Sequence, residues 1–174
     1  MKRIGFVIFF VLLIFAAALQ AQSSAQAPGP EHKKLNIWVG DWTYEGESFA
    51  TPLQAADKYA GKMTVRPILD GFFVEFQGED GSSRWHEIDG YDALNKTYFW
   101  FGFGNNGKVD TATYTIEGTK VEYSGSITVG EKRLKIRGTV VFADDLKSSV
   151  EKRDISLDGQ SWIPSFRNNW KKIK

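Results

Sequence analysis

Glu75 and His86 are the two side chains of this sequence placed to move a proton or orient a ligand from the middle of a strand. An imidazole titrates near neutrality and can donate or accept a hydrogen bond. A carboxylate taken out of water without a partner keeps its proton to higher pH. Glu75 shares a face with Phe73 and Gln77, against Phe72, Val74 and Phe76 on the other. In Arg84-Trp85-His86-Glu87, Trp85 and Glu87 project opposite to Arg84 and His86. An inward Glu75 working with His86 or a tyrosine would make a weak acid/base enzyme. The plainer reading, which the patterns favour, puts Phe72, Val74 and Phe76 inside and leaves Glu75 and His86 on the outer face. His32, the other histidine, reads as a solvated helix residue, and a single histidine on a strand does not make a metal site.

The remaining carboxylates have a turn explanation. Asp70, Asp80, Asp89 and Asp158 each precede glycine, the order expected of Asx-type and left-handed turns. No Gly-x-Ser-x-Gly elbow, phosphate loop, dinucleotide fingerprint or His-Glu-x-x-His helix occurs, so nucleophilic, phosphoryl-transfer and zinc-hydrolase chemistry have no foothold. There is no cysteine, which removes disulfides and thiolate metal sites. No cofactor is expected.

Aromatic residues are the more promising ligand contacts. Trp42, Tyr44, Trp100 and Tyr123 combine large contact area with polar handles, as a pocket for a small apolar or amphipathic molecule requires. The run Tyr98-Phe99-Trp100-Phe101-Gly102-Phe103 is aromatic on both strand faces, and only one face can enter a core. Phe99, Phe101 and Phe103 must then be covered by an N-terminal helix, by a second copy in a homodimer or by another protein.

These side chains would be positioned by a sheet closed on itself. Glycine and aspartate punctuate the chain at the roughly 8–12-residue spacing of all-β domains. The strands expected are 41–50, 60–69, 72–78, 83–91, 97–103, 109–116, 120–128, 133–143, 148–157 and 161–172, about ten in number. Met63 and Val65 alternate with Lys62, Thr64 and Arg66; Val121, Tyr123 and Ile127 alternate with Lys120, Glu122 and Ser124. Leu134, Ile136, Val140 and Phe142 alternate with Lys135, Arg137 and Thr139. Such an in/out code is what one sheet wrapped around its own core demands. Gly46, Gly125 and Gly138 fall on inward faces, permitting tight coiling or leaving room for a ligand. Pro164 should mark a bulge in the last strand. Ahead of the strands, Pro28-Gly29-Pro30 introduces a short helix over 31–39, with Leu35, Trp38 and Val39 on one face, expected to plug or cover a barrel end.

Lys2 and Arg3 precede an apolar run from Ile4 to Leu19, followed by polar residues, the order of a secretory signal peptide. We expect residues 1–21 to be a signal peptide cleaved after Ala21, 22–29 a linker and 30–174 the barrel domain. The run is shorter than the ~20 residues that span a bilayer comfortably, so no membrane association is expected after cleavage, and the location would be periplasmic or secreted. Removing Lys2 and Arg3 from 22 basic residues leaves 20 against 21 acidic ones, a formal charge of −1. That balance offers no footprint for nucleic acid.

Pro28-Gly29-Pro30-Glu31-His32-Lys33-Lys34-Leu35, then Val39-Gly40-Asp41-Trp42 opening the first strand, resembles the start of the bacterial family known as domain of unknown function 1579. Gly90-Tyr91-Asp92, Asn95-Lys96-Thr97-Tyr98 and the aromatic strand resemble its middle hairpin. Through Gly-x-Trp the family is similar to the calycin group of lipocalins, fatty-acid-binding proteins and nitrobindins. The resemblance implies a calycin-like all-β fold: an antiparallel meander β-barrel of about ten strands with a short N-terminal helix. It also implies that Trp42 packs beneath a basic side chain of the final strand, with Arg167, Lys171 and Lys172 as candidates. A nitrobindin-type haem would need a C-terminal histidine, which this chain lacks. The expectation is an exported, non-catalytic barrel for a small apolar ligand. The alternatives are a filled barrel acting as an interaction module through strand 98–103, and an enzyme using Glu75 and His86.

Overall fold

A computed structural model describes residues 27–174; the expected signal peptide and most of the expected linker lie outside the described residues. The helix α1 is a single turn and a half, Pro30–Lys34, with proline at its first position and the acid Glu31 in its first turn. A 3-10 turn, Leu35–Ile37, carries the chain on to the sheet.

Ten antiparallel strands follow in chain order and close into one barrel. They are β1 (Gly40–Ser48), β2 (Asp57–Ile68), β3 (Phe73–Asp80), β4 (Ser83–Asp92) and β5 (Thr97–Gly104), then β6 (Val109–Glu117), β7 (Lys120–Val129), β8 (Lys132–Phe142), β9 (Ser148–Ser156) and β10 (Ile163–Lys172). Every strand pairs with its sequence neighbour, and β1 pairs with β10 from Trp42↔Lys172 to Ser48↔Phe166, so no edge is left exposed. The two-residue turns after β3, β6 and β7 open on Gly81, Gly118 and Gly130 with φ of 53°, 60° and 58°, the left-handed conformation such hairpins need. The register of β9 and β10 slips between Pro164 and Phe166, as a proline without a ladder donor predicts.

Asp89-Gly90 departs from the turn expected of it: both residues lie within β4. Gly90 is there for close approach. A Cβ at this position would fall 2.6 Å from the Phe73 ring and 2.7 Å from that of Phe99, which pack over the strand from outside. The chain therefore runs straight through, and Asp89 is carried into the interior.

The base of the barrel is solid. Trp42 is 1% exposed, and its indole N–H donates to the Trp38 carbonyl at 2.7 Å. The Trp38 and Phe142 rings meet edge to face at 4.8 Å, and Phe142 also meets Trp42. Of the three basic candidates, Lys172 is the partner: its Nζ lies 4.8 Å from the Trp42 ring centroid and donates to the Val39 carbonyl at 2.7 Å. Strand parity selects it, because Lys172 is opposite Trp42 in the ladder while Arg167 and Lys171 point outward. Helix α1 docks at the same end, where the Tyr98 hydroxyl donates to the Glu31 carboxylate at 2.6 Å and His32 packs edge-on against Phe72 and Tyr91.

Because α1 covers the base, it does not cover the outer aromatic face of β5. Phe99 is half-buried against Phe73, while Phe101 and Phe103 are each 47% exposed.

Trp42→Ala should lower the unfolding free energy by about 3–5 kcal/mol through loss of a fully buried ring. Lys172→Met, which keeps the aliphatic stem, should cost only about 1 kcal/mol. Urea titrations of the two variants decide the matter; equal losses would mean that the ammonium, rather than the buried indole, holds the base.

Candidate functional site

Above this base the interior is hollow. A chamber of about 320 Å³ rises from Trp38 and reaches solvent past the β3–β4 and β5–β6 turns, with Ser83, Arg84, Asn105, Asn106 and Lys108 at its rim. The volume suits a small organic molecule.

Its walls follow from strand parity. Tyr44, Trp100 and Tyr123 line the chamber as the alternation of β1, β5 and β7 requires. Trp100 and Tyr123 meet edge to face with centroids 4.9 Å apart. Gly138 makes this possible, since a side chain there would overlap the Tyr123 ring. Trp42 belongs to the base beneath and is not among the chamber's walls. Glu75 and His86 meet each other on the outer wall, His86 Nε2 to Glu75 Oε1 at 2.8 Å, with the His86 side chain 46% exposed. His86 reaches the rim only, and Glu75 is absent from the lining. The outward alternative therefore holds, because β3 turns Val74 and Phe76 inward and β4 turns Trp85, Glu87 and Asp89 inward opposite them.

The interior polar groups fall into two clusters, and of their members only Asp89 has a turn reading in the sequence. Glu151 and Arg153, two residues apart on β9, form one cluster. Arg153 lies 3.6 Å from the Glu151 carboxylate, donates from Nε to the Tyr123 hydroxyl at 3.1 Å and stacks 4.4 Å over the Phe166 ring. The Tyr123 hydroxyl donates to Glu151 at 2.9 Å, as do the Trp170 indole at 3.3 Å and the Asn168 amide at 3.5 Å. Tyr59 donates to Asn168 at 2.8 Å. Every member is partnered, so the cluster is a finished network.

The second cluster is unfinished. Glu87 and Asp89 share the inward face of β4. Tyr114 donates to Asp89 Oδ2 at 2.6 Å, and the Asp89 carboxyl, on a residue only 2% exposed, also hydrogen-bonds the Glu87 carboxyl, which requires a proton between the two. Trp100, opposite Asp89 in the β4–β5 ladder, has an indole N–H with no acceptor, and so does Trp38 on the chamber floor. Burial pushes Glu87 up to about 7 and holds Asp89 well above the usual carboxylate range, where the Glu87 charge adds to the effect. Burial likewise pushes Tyr44 up to about 12, so it is a neutral donor at physiological pH.

The signal for Glu87 and Asp89 was present in parity. Trp85 and Tyr91, the aromatic residues of β4, share their face, which marks that face as inward despite its charge. Glu151 and Arg153 similarly share a face with Ile155. No group of three or more potential metal-ligating side chains is assembled among the described residues.

The family described as "Protein of unknown function (DUF1579)" matches residues 27–163. No curated protein matches the chain in sequence. Among solved structures, Rv2717c from M. tuberculosis is similar, with a TM-score of 0.63 at 11% identity over 84% of this chain and 99% of that one. That likeness concerns the fold alone. A DUF3598 protein of unknown function from Nostoc punctiforme aligns over 84% of this chain and 100% of its own at 6% identity, with a TM-score of 0.27.

The raised carboxyls have a measurable sign. Folded Glu87 holds a proton more tightly than the ordinary glutamate value of 4.5 allows, so its contribution to stability is complete below that pH and is lost as pH rises through about 7. Asp89 acts in the same direction. The melting temperature should therefore increase by several degrees on going from about pH 8 to about pH 5.5. A Glu87→Gln, Asp89→Asn double variant should show a nearly flat profile over this interval in scanning calorimetry.

Proposed function

The chain belongs to the DUF1579 family, and from that premise and the geometry of the chamber we propose that it is a non-catalytic carrier or sensor of a small amphipathic molecule, working in the periplasm or outside the cell. The observation that supports this most strongly is the hollow space itself, about 320 Å³, open at one end and walled by Tyr44, Trp100 and Tyr123 with Glu87 among them. A ligand that lays its apolar part on these rings and turns its polar groups to the carboxyl would fill the space. Export is supported by the charged, apolar and polar order of residues 2–24. Among the described residues no helix is long and apolar enough to cross a membrane.

A neutral apolar dye such as N-phenyl-1-naphthylamine tests the chamber. Saturable one-to-one binding, lost in Val140→Trp, whose added ring would occupy the chamber, and kept in Phe101→Lys is the expected outcome. Val140 lines the space, whereas Phe101 lies on the outer wall. Near-UV circular dichroism establishes that both variants fold. Absence of saturable binding to the wild type would overturn the reading.

A second reading rests on the exposed Phe101 and Phe103, flanked by Val109 at 40% exposure. This stripe suits a homodimer in which the same face of each copy meets the other. Sedimentation of wild type as a dimer and of Phe101→Lys as a monomer is then expected; a wild-type monomer at all concentrations would dispose of the idea.

A further inference from the structure

We propose that the chamber's ligand is an organic amine, bound as its ammonium ion against Asp89 and Glu87 with its apolar part among the aromatic rings. The inference rests on the chamber being a binding site and names the chemistry of what enters it.

The charge balance of the lining carries the argument. Glu87, Asp89 and Glu151 are set in the wall beneath the rim, and Arg153 is the cation set among them. Arg153 is already committed to Glu151, to the Tyr123 hydroxyl and to the Phe166 ring, so it has little left to offer an anionic ligand. The acids on β4 are the reverse case. Asp89 is met by the Tyr114 hydroxyl and by the Glu87 carboxyl, and neither acid is paired with a basic side chain among the described residues. Of the two cations at the rim, Lys108 is held by Asp110 at 3.0 Å and Arg84 stands exposed on the outward face of β4, above the acid pair. The site is thus short of a positive charge, and a donor of two or three hydrogen bonds would complete it.

The surroundings suit a cation equally. Trp85, Trp100, Tyr114, Tyr123 and Tyr44 line the chamber, and aromatic faces attract a desolvated ammonium. The groups that face the acid pair from other strands are Asp110 and Tyr114 on β6, Tyr123 on β7, and Glu151 and Arg153 on β9. Tyr114, Tyr123 and Arg153 keep one charge state across the physiological range, and Glu87 and Asp89 stand side by side with a hydrogen bond between their carboxyls. In the free protein the pair limits its charge by retaining a proton. An entering ammonium takes over that task, and the retained proton leaves for solvent.

Three probes of nearly equal shape decide the question: 2-phenylethylamine, 2-phenylethanol and phenylacetate, each titrated calorimetrically into the purified protein at neutral pH. The amine should bind about 10-fold or more tightly than the alcohol, the usual range for a hydrogen bond to a charged partner, and phenylacetate should bind least. Repeating the amine titration in two buffers of different ionisation enthalpy should reveal proton release. Asp89→Asn and Glu87→Gln, both close in shape to the native residues, should each abolish the amine's preference over the alcohol. If the alcohol binds as well as the amine, or phenylacetate binds best, the assignment of an amine is overturned while the chamber stands as a binding site. If none of the three binds and the neutral dye also fails, the chamber itself is refuted as a binding site. Because the probe comparison uses the wild type, it does not depend on either variant folding.

Discussion

The fold depends on a lock at the base of the barrel, where the first strand meets the last. A closed sheet has no free edge, but it must be told where to close. Trp42 does so by engaging both neighbours of the seam: its indole N–H ties it to the Trp38 carbonyl ahead of β1, and its face receives the Lys172 ammonium from the end of β10. Lys172 in turn caps the Val39 carbonyl. The three contacts tie the 3-10 segment, β1 and β10 together, and the rings of Trp38, Trp42 and Phe142 fill the space between them. With one end packed in this way, the hollow space is confined to the other.

That division of labour separates stability from chemistry. The apolar floor supplies burial, whereas the upper wall spends stability on charged groups. The Glu151–Arg153 cluster offsets its desolvation through mutual hydrogen bonds, so it behaves as part of the scaffold. The Glu87–Asp89 pair is held by Tyr114 and by a proton between its own carboxyls, without a cation of its own, which is the usual condition of a place meant to meet something from outside.

Much of the architecture was legible because strand periodicity is a local property. The alternation in residues 120–128 and 133–142 and the glycine-led turns located the hairpins, and Pro164 announced the slip between β9 and β10. Even the choice of Lys172 could be reached by counting parity back from Trp42 through the seam. The chamber's chemistry was harder to read. Asp89 precedes a glycine, and the same dipeptide that opens a turn at Asp80-Gly81 runs straight through β4 because Phe73 and Phe99 need the space that Gly90 leaves. Glu151 and Arg153 lie on a mostly polar strand whose two apolar residues, Val150 and Ile155, fall on opposite faces, so the face shared with Ile155 was only a weak sign of the inside. Their hydrogen-bond partners, Tyr123 of β7 and Trp170 of β10, make that face interior. Glu75 drew notice for its apolar neighbours, yet those neighbours were inside because it was out.

The near-nearest-neighbour wiring of the barrel has a consequence for how the chain acquires its shape. Nine of the ten strand pairings join consecutive strands, so each hairpin can form as soon as its second arm is available. The seam is different: Lys172 meets a carbonyl 133 residues earlier in the chain. Closing so long a loop is entropically slow and must await the last strand. A growing or refolding polypeptide would therefore pass through a curled, open ribbon whose first strand, paired to β2 on one side, keeps its seam edge open, with the Trp42 indole still wet. Quenching of that fluorophore by solvent should be among the last signals to disappear, and a chain cut short before β10 would keep a sticky edge instead of a cylinder.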